Sequence, residues 1–193
     1  MSVHTAPQPQ TSGARPERWL VCRPAASEAE LAEYFAIRKA TFVDEQGLFD
    51  GSDVEPVDAD PRTLHIVAIC EPAGEIVGVV RCCPGEDGAW FGGRLTVVAA
   101  YRASRLLVGR ALVRTAEELV RERGVGVFLG HIQLAIVGFF EHLGWRKIGD
   151  PGIFAGIPHQ LMRPAWSVEP TSPRSSRSPA AKPGRVPEAE ATV

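Results

Sequence analysis

The strongest constraint on this chain's fold is a change in the period of its apolar residues. From Thr63 to Val98, TLHIVAICEPAGEIVGVVRCCPGEDGAWFGGRLTVV carries three apolar, β-branched runs broken by PAGE and PGEDG, each a turn signal. These runs predict an antiparallel meander of three strands. The period then becomes helical: Leu112, Ala116, Leu119 and Val120 recur at helical spacing, and Gly124 ends the segment. Upstream, WLVCRPA (Trp19 to Ala25) reads as a strand. Ser27 follows as an N-cap for a helix whose Leu31, Tyr34, Phe35 and Phe42 share a face. Downstream, GVGVFLGHI reads as a short buried strand, LAIVGFFEHLG as a short helix closed by Gly144, and HQLMRPAW as a last strand. Helices between strands imply crossovers, so the expected fold is α/β (α+β), a mixed central sheet flanked by helices.

Composition sets the limits of this domain. Residues 1–16 and everything from Ser167 to Val193 are rich in Pro, Ser and Ala and poor in large apolar side chains, so both are expected to be disordered and the folded unit to span 17–166. A net charge of −2 gives no general attraction to nucleic acid or anionic membrane. No apolar run is long enough to span a bilayer, and the N-terminus lacks the order of a signal peptide, so a cytoplasmic location is expected. Cys22, Cys70, Cys82 and Cys83 show no CxxC spacing and lie in apolar runs. Buried thiols are expected, with no metal site, and with Cys82 and Cys83 on opposite faces of one strand.

The stretch YRASRLLVGRALV crowds Arg102, Arg105 and Arg110 around a helix start. A solvated basic face is the ordinary reading of such a run. A helix N-terminus, however, offers unpaired N–H groups and the positive end of a dipole, which together suit an anion.

Together with the order of elements, RLTVVAAYRASRLLVGRALV and QLAIVGFFEHLGWRKIG resemble the GNAT N-acetyltransferase superfamily, which uses acetyl-coenzyme A. The resemblance covers Trp19 to Trp166 and implies the GNAT acyl-CoA N-acyltransferase fold. In that family a strand ending in L-x-V leads through an Arg- and Gly-rich loop into a helix that holds the coenzyme pyrophosphate. Leu95 and Val97 match the strand, Arg102 and Arg105 the loop, Gly109 its last small residue, and Val108 and Arg110 flank it. Counted back from Gly109, Ser104 and Leu107 stand where the family has Arg or Gln and then Gly; counted from Arg105, one extra residue precedes Gly109 and Ala111 is the second small position. Leu107 is compatible with binding if its φ is negative. In the second block Gln133, Phe139, Phe140, Leu143, Gly144 and Trp145 match the family pattern. Phe140 stands where the family's usual Tyr protonates the departing thiolate. A thiol with a pKa near ~8.5 is already a fair leaving group.

A third block, IRKATFVDEQGLFDGSDVEPVDADPRTLHIVA, resembles a GNAT branch that includes proteins called nitrogen-starvation N-acetyltransferases, with acyl-homoserine-lactone synthases as distant relatives. Acetyl transfer requires a neutral amine, so a carboxylate or imidazole must remove a proton. Glu45 is the first candidate base, His131 the second and His65 the third. FGGRL on the fourth strand offers none. Each has an ordinary alternative: a helix-end charge for Glu45, and a structural imidazole for the two histidines. The acidic run DGSDVEPVDAD reads as a solvated loop near the amine-binding mouth, able to attract a cationic acceptor.

The resemblance implies an acetyl-CoA-dependent N-acetyltransferase acting on a small amine by direct attack in a ternary complex. Backbone N–H groups near Val97 would polarise the thioester. Acetyl-CoA is the cosubstrate, Leu95, Val97, Arg102, Arg105, Val108, Gly109, Arg110, Gln133 and Phe140 form its expected site, and a homodimer is compatible with the family. The alternatives are a non-catalytic CoA-binding or interaction module and an N-acyltransferase that uses longer acyl-CoA.

Overall fold

The computed structural model describes residues 17–154 and 156–171. The segments 1–16 and 172–193 of the expected disordered ends lie outside the described residues. One mixed sheet runs through the molecule. β1 (Trp19–Pro24) pairs antiparallel with β2 (Leu64–Glu71), β2 with β3 (Glu75–Pro84), and β3 with β4 (Trp90–Val97), giving the meander that the three apolar runs predict. β5 (Phe128–Gln133) lies parallel to β4. β8 (Ile157–Pro164) pairs antiparallel with β5 and in turn carries β6 (Trp145–Lys147) and β7 (Gly152–Phe154). These two three-residue strands are absent from the sequence expectation; a run so short shows no period of its own.

The first helix arises as its capping signal indicates. The Ser27 hydroxyl accepts the Glu30 N–H and opens α1 (Glu28–Lys39). The chain then continues through a wider π-helical turn, Ala40–Glu45, so the expected single helix to Phe42 changes register after Lys39. A helix of this kind adds a residue per turn and re-aims the side chains beyond it, a feature frequent at functional sites. α2 (Val108–Glu122) and α3 (Val137–His142) complete the set.

The two faces of the sheet form separate cores. On one, Ile66, Ala68, Val77, Val80 and Cys82 pack against Val108, Leu112, Val113, Ala116 and Val120 of α2. On the other, Val67, Ile69, Ile76 and Val79 pack against Tyr34 of α1, and Cys83, Phe91 and Leu129 continue that surface. Cys82 and Cys83 therefore face opposite ways, as strand alternation requires. All four cysteines are free. The folded unit extends past its expected end at Trp166: the Ser167 hydroxyl is buried and accepts the Phe128 N–H at 2.8 Å, and Val168 N–H donates to Gly126. Among the described residues no helix is long and apolar enough to cross a membrane.

Candidate active site

β4 and β5 begin as a parallel pair and then part. Their register holds for three rungs only, Trp90↔Phe128, Phe91↔Leu129 and Gly92↔Gly130, although β4 runs on to Val97 and β5 to Gln133. The separation coincides with irregular pairing between β3 and β4 opposite Arg94, whose φ is +54°. A bulge of this kind bends and twists a strand away from its neighbour. The resulting cleft has a volume of about 680 Å³ and passes from one face of the sheet to the other. Because Val98 N–H donates to Val77 on β3, alternation turns the Val97 amide toward the opened side.

The start of α2 lies at one end of the cleft. Leu107 is its N-cap, with φ +52° and ψ +44° and no side-chain capping bond. The condition of negative φ, under which Leu107 is compatible with binding, is therefore not met. Leu107 holds the left-handed conformation that glycine adopts without cost, at the position where the register counted back from Gly109 places the family's glycine. The first N–H groups of this helix lack a side-chain acceptor, and the buried Ser104 hydroxyl beside them makes no hydrogen bond within the described residues. Val108, Gly109 and Arg110 line the cleft here, with Leu95 and Val97 along its floor. A Cβ at Gly109 would lie 3.6 Å from Phe139 and 3.8 Å from Val97, so a larger side chain would project into the cleft mouth.

Other expected residues are placed differently. Glu45 does not line the cleft; it is exposed and forms a two-bond pair with Arg102, both contacts 2.6 Å. The hydrogen bond from Arg102 holds its carboxyl below the usual glutamate range, which makes it a poor proton acceptor. Arg102 lines the cleft and also donates its Nε–H to the Val97 carbonyl, so three of its five N–H groups are engaged within the protein. Arg105 is exposed and off the cleft lining. Gln133 does line the cleft and meets Gln46 across it at 3.3 Å. Phe140 also lines it, edge-on to Trp145, and brings no proton. His65 lies outside, against Tyr34 and Phe35 and bonded to the Asp58 carbonyl, as a structural imidazole.

The opposite end of the cleft contains two imidazoles. His131 follows the last β4–β5 rung and stacks between Phe91 and Phe154, with centroids 5.9 and 4.3 Å away. His159 on β8 lies opposite Gln133 on β5 and lines the same cleft. Its Nδ1 is 2.9 Å from the Ile157 carbonyl, which can only accept, so Nδ1 carries the proton and Nε2 the lone pair. Burial pushes the ring below its ordinary pKa, against the opposing effect of the Ile157 and Phe154 carbonyls, and keeps it neutral at pH 7. His159 is absent from the residues that the sequence singles out. Its only signal was one histidine in a strand whose face could not be assigned without its pairing partner.

The acidic run between α1 and β2 is also corrected. Asp53 and Asp58 are buried, not solvated, and Arg38, fully buried, binds both. Arg81 adds bonds to Asp58 and Glu55, and Arg94 to Asp53 and Glu55. Burial tends to raise the Asp58 carboxyl, but the Arg38 hydrogen bond and the charges of Arg81 and Arg38 outweigh it and hold it at about 2. No group of three His, Cys, Asp or Glu among the described residues is arranged to hold a metal.

The family profile of the GNAT acetyltransferase domain matches residues 57–165. The chain belongs to the GNAT acetyltransferase family. A Bacillus subtilis protein provisionally named an acetyltransferase is 35% identical over 137 residues, covering 70% of this chain and 90% of that one. Among solved structures, a Lactobacillus plantarum protein provisionally named an N-acetyltransferase superposes with a TM-score of 0.64 at 28% identity, over 75% of this chain and 96% of that one. An acyl-CoA N-acyltransferase from Pseudomonas aeruginosa gives a TM-score of 0.64 at 21% identity, covering 77% of this chain and 100% of that one, and shares the fold. In this GNAT chain the parted strands leave an open cleft, and the start of α2 beside it presents N–H groups without a side-chain acceptor.

Proposed function

We propose that this GNAT chain is an acetyl-CoA-dependent N-acetyltransferase that acts on the amine of a small molecule by direct attack in a ternary complex. The observation that carries the reading is the separation of β4 from β5 beyond Gly92 and Gly130, next to the uncapped start of α2. The α2 N–H groups and Ser104 Oγ suit the pyrophosphate, with Arg110 as the cation at that end. The Val97 amide, turned into the cleft, suits the thioester oxygen as negative charge develops on it.

His159 replaces Glu45 as the proposed base. Its Nε2 takes the proton from the amine as nitrogen attacks the thioester carbon; the C–N bond forms, the C–S bond breaks, and the electron pair leaves with sulfur. No side chain needs to protonate that sulfur, because a thiolate is an adequate leaving group. Cys83 is an unsuitable covalent carrier, since burial pushes its thiol up to about 11. His131 is the second candidate base, favoured by its position at the apex of the opening.

The reading is tested by following thiol release from acetyl-CoA over an amine panel, with His159→Gln and His131→Gln beside the wild type. Transfer that falls in His159→Gln supports it. Saturable CoA binding with no transfer to any amine would instead support a non-catalytic module, and transfer only from long-chain acyl-CoA would change the donor.

A further inference from the structure

Alternation along the strands places Phe91 and Gly93 of β4, His131 of β5 and His159 of β8 on the sheet face that α1 also covers. Phe42 and Phe49 approach the same end of the cleft from the segment after α1, and Phe154 from β7. A Cβ built on Gly93 meets nothing within 4 Å, so open space lies directly beyond the last β4–β5 rung. A flat group entering there would be surrounded by aromatic carbon.

The charges at this end are already committed to one another. Glu55, Arg81 and Arg94 line it, and each is held in ion pairs: Arg81 to Glu55 and Asp58, Arg94 to Asp53 and Glu55. With Arg38, three guanidinium groups face three carboxylates. An incoming polycation finds no carboxylate without a guanidinium partner, and an incoming carboxylate finds no guanidinium without a carboxylate. The aromatic faces do not substitute as a cation cage. The Arg94 guanidinium already lies 4.5 Å from the Phe49 centroid and 5.7 Å from that of Phe42, and its charge repels a second cation. Among the groups that line this end, the phenylalanine rings offer the largest surface to a substrate body, and ring-on-ring contact is the interaction they favour.

We propose that the acceptor is an arylalkylamine, a primary amine on a flat uncharged aromatic body; this rests on the acyl-transfer reading of the same cleft. The aromatic body occupies the space above Gly93, and the amine points toward His159 and the thioester.

Calorimetric titration of CoA-saturated protein with 2-phenylethylamine, spermidine and L-phenylalanine tests this. The expected result is roughly tenfold or greater preference for 2-phenylethylamine over both competitors, the size typical of a mismatched buried polar group or of an apolar pocket left unfilled. Gly93→Leu, whose side chain enters open space and spares the fold, abolishes amine binding and keeps its melting temperature; Gly93→Ala weakens it less. Equal or tighter binding of spermidine or L-phenylalanine overturns the proposal, as does amine binding that survives in Gly93→Leu. The prior titration with CoA alone reports separately on the acyl-transfer reading. If CoA does not bind, that reading fails, and the same amine comparison on the free protein still decides the acceptor class.

Discussion

The two ends of the cleft are built in opposite ways. The end proposed for the coenzyme draws mainly on one stretch, Arg94 to Arg110, and consists largely of backbone: a bulge, an amide turned outward and the bare start of a helix. The acceptor end draws on residues from Arg38 to His159, and side chains dominate it: three arginines against three carboxylates, four phenylalanines and two imidazoles. The first can be recognised from local spacing because backbone geometry is a local property. The second exists only when distant segments meet, and it is where the proposed base and acceptor pocket lie.

If that division is correct, variants at the two ends should fail differently. The largest expected effect is at His159. Replacement by Gln should lower the thiol-release rate by about 10²–10⁴-fold, the range of a positioned general base, while acetyl-CoA affinity measured by calorimetry stays unchanged. The wild-type rate should also rise with pH through a pKa below the ordinary histidine value, since burial lowers that of His159 and only its neutral form accepts a proton.

Next is the buried charge network. Asp58→Ala leaves Arg38 and Arg81 without their shared partner and should cost about 3–5 kcal/mol in denaturant-monitored stability. The same carboxyl has a folded-state pKa below its unfolded one. Its contribution is therefore complete above the unfolded value of 3.8 and is lost as pH falls toward about 2, so acid unfolding should be delayed into that window in the wild type and flattened in Asp58→Ala.

Smaller effects sharpen the contrast from the coenzyme end. Leu107→Gly relieves a left-handed leucine and should raise stability by about 1 kcal/mol in chemical denaturation without loss of CoA affinity. The smallest change is expected for Glu45→Gln. Glu45 itself does not line the cleft and its pair with Arg102 is solvent-exposed, so thiol release should be essentially unchanged. A rate collapse there with the fold intact would return Glu45 to the role the sequence suggested.

The same division explains what could be read from the chain alone. The meander, α1 with its Ser27 cap, α2 and the glycine-closed helix ends were legible because period and capping are local signals. The π-helical turn was not, since ATFVDE differs in no obvious way from a continuing helix, and its extra residue is fixed by tertiary contacts such as the 2.7 Å Thr41–Thr96 hydroxyl bond. The acidic run looked solvated because its partners, Arg38, Arg81 and Arg94, stand 15 to 41 residues from the carboxylates they bind and converge on them only in the fold. Glu45 looked catalytic for the same reason: Arg102, which occupies it, is 57 residues distant.

Calorimetric titration of the wild type and Gly109→Trp with acetyl-CoA decides whether this cleft holds the coenzyme. Saturable one-site binding is expected in the wild type and its loss in Gly109→Trp, because the indole fills the mouth beside Phe139 and Val97 while the fold persists. Wild-type protein that is folded yet does not bind, or a Gly109→Trp variant that binds equally well, would contradict the assignment of this cleft to the coenzyme.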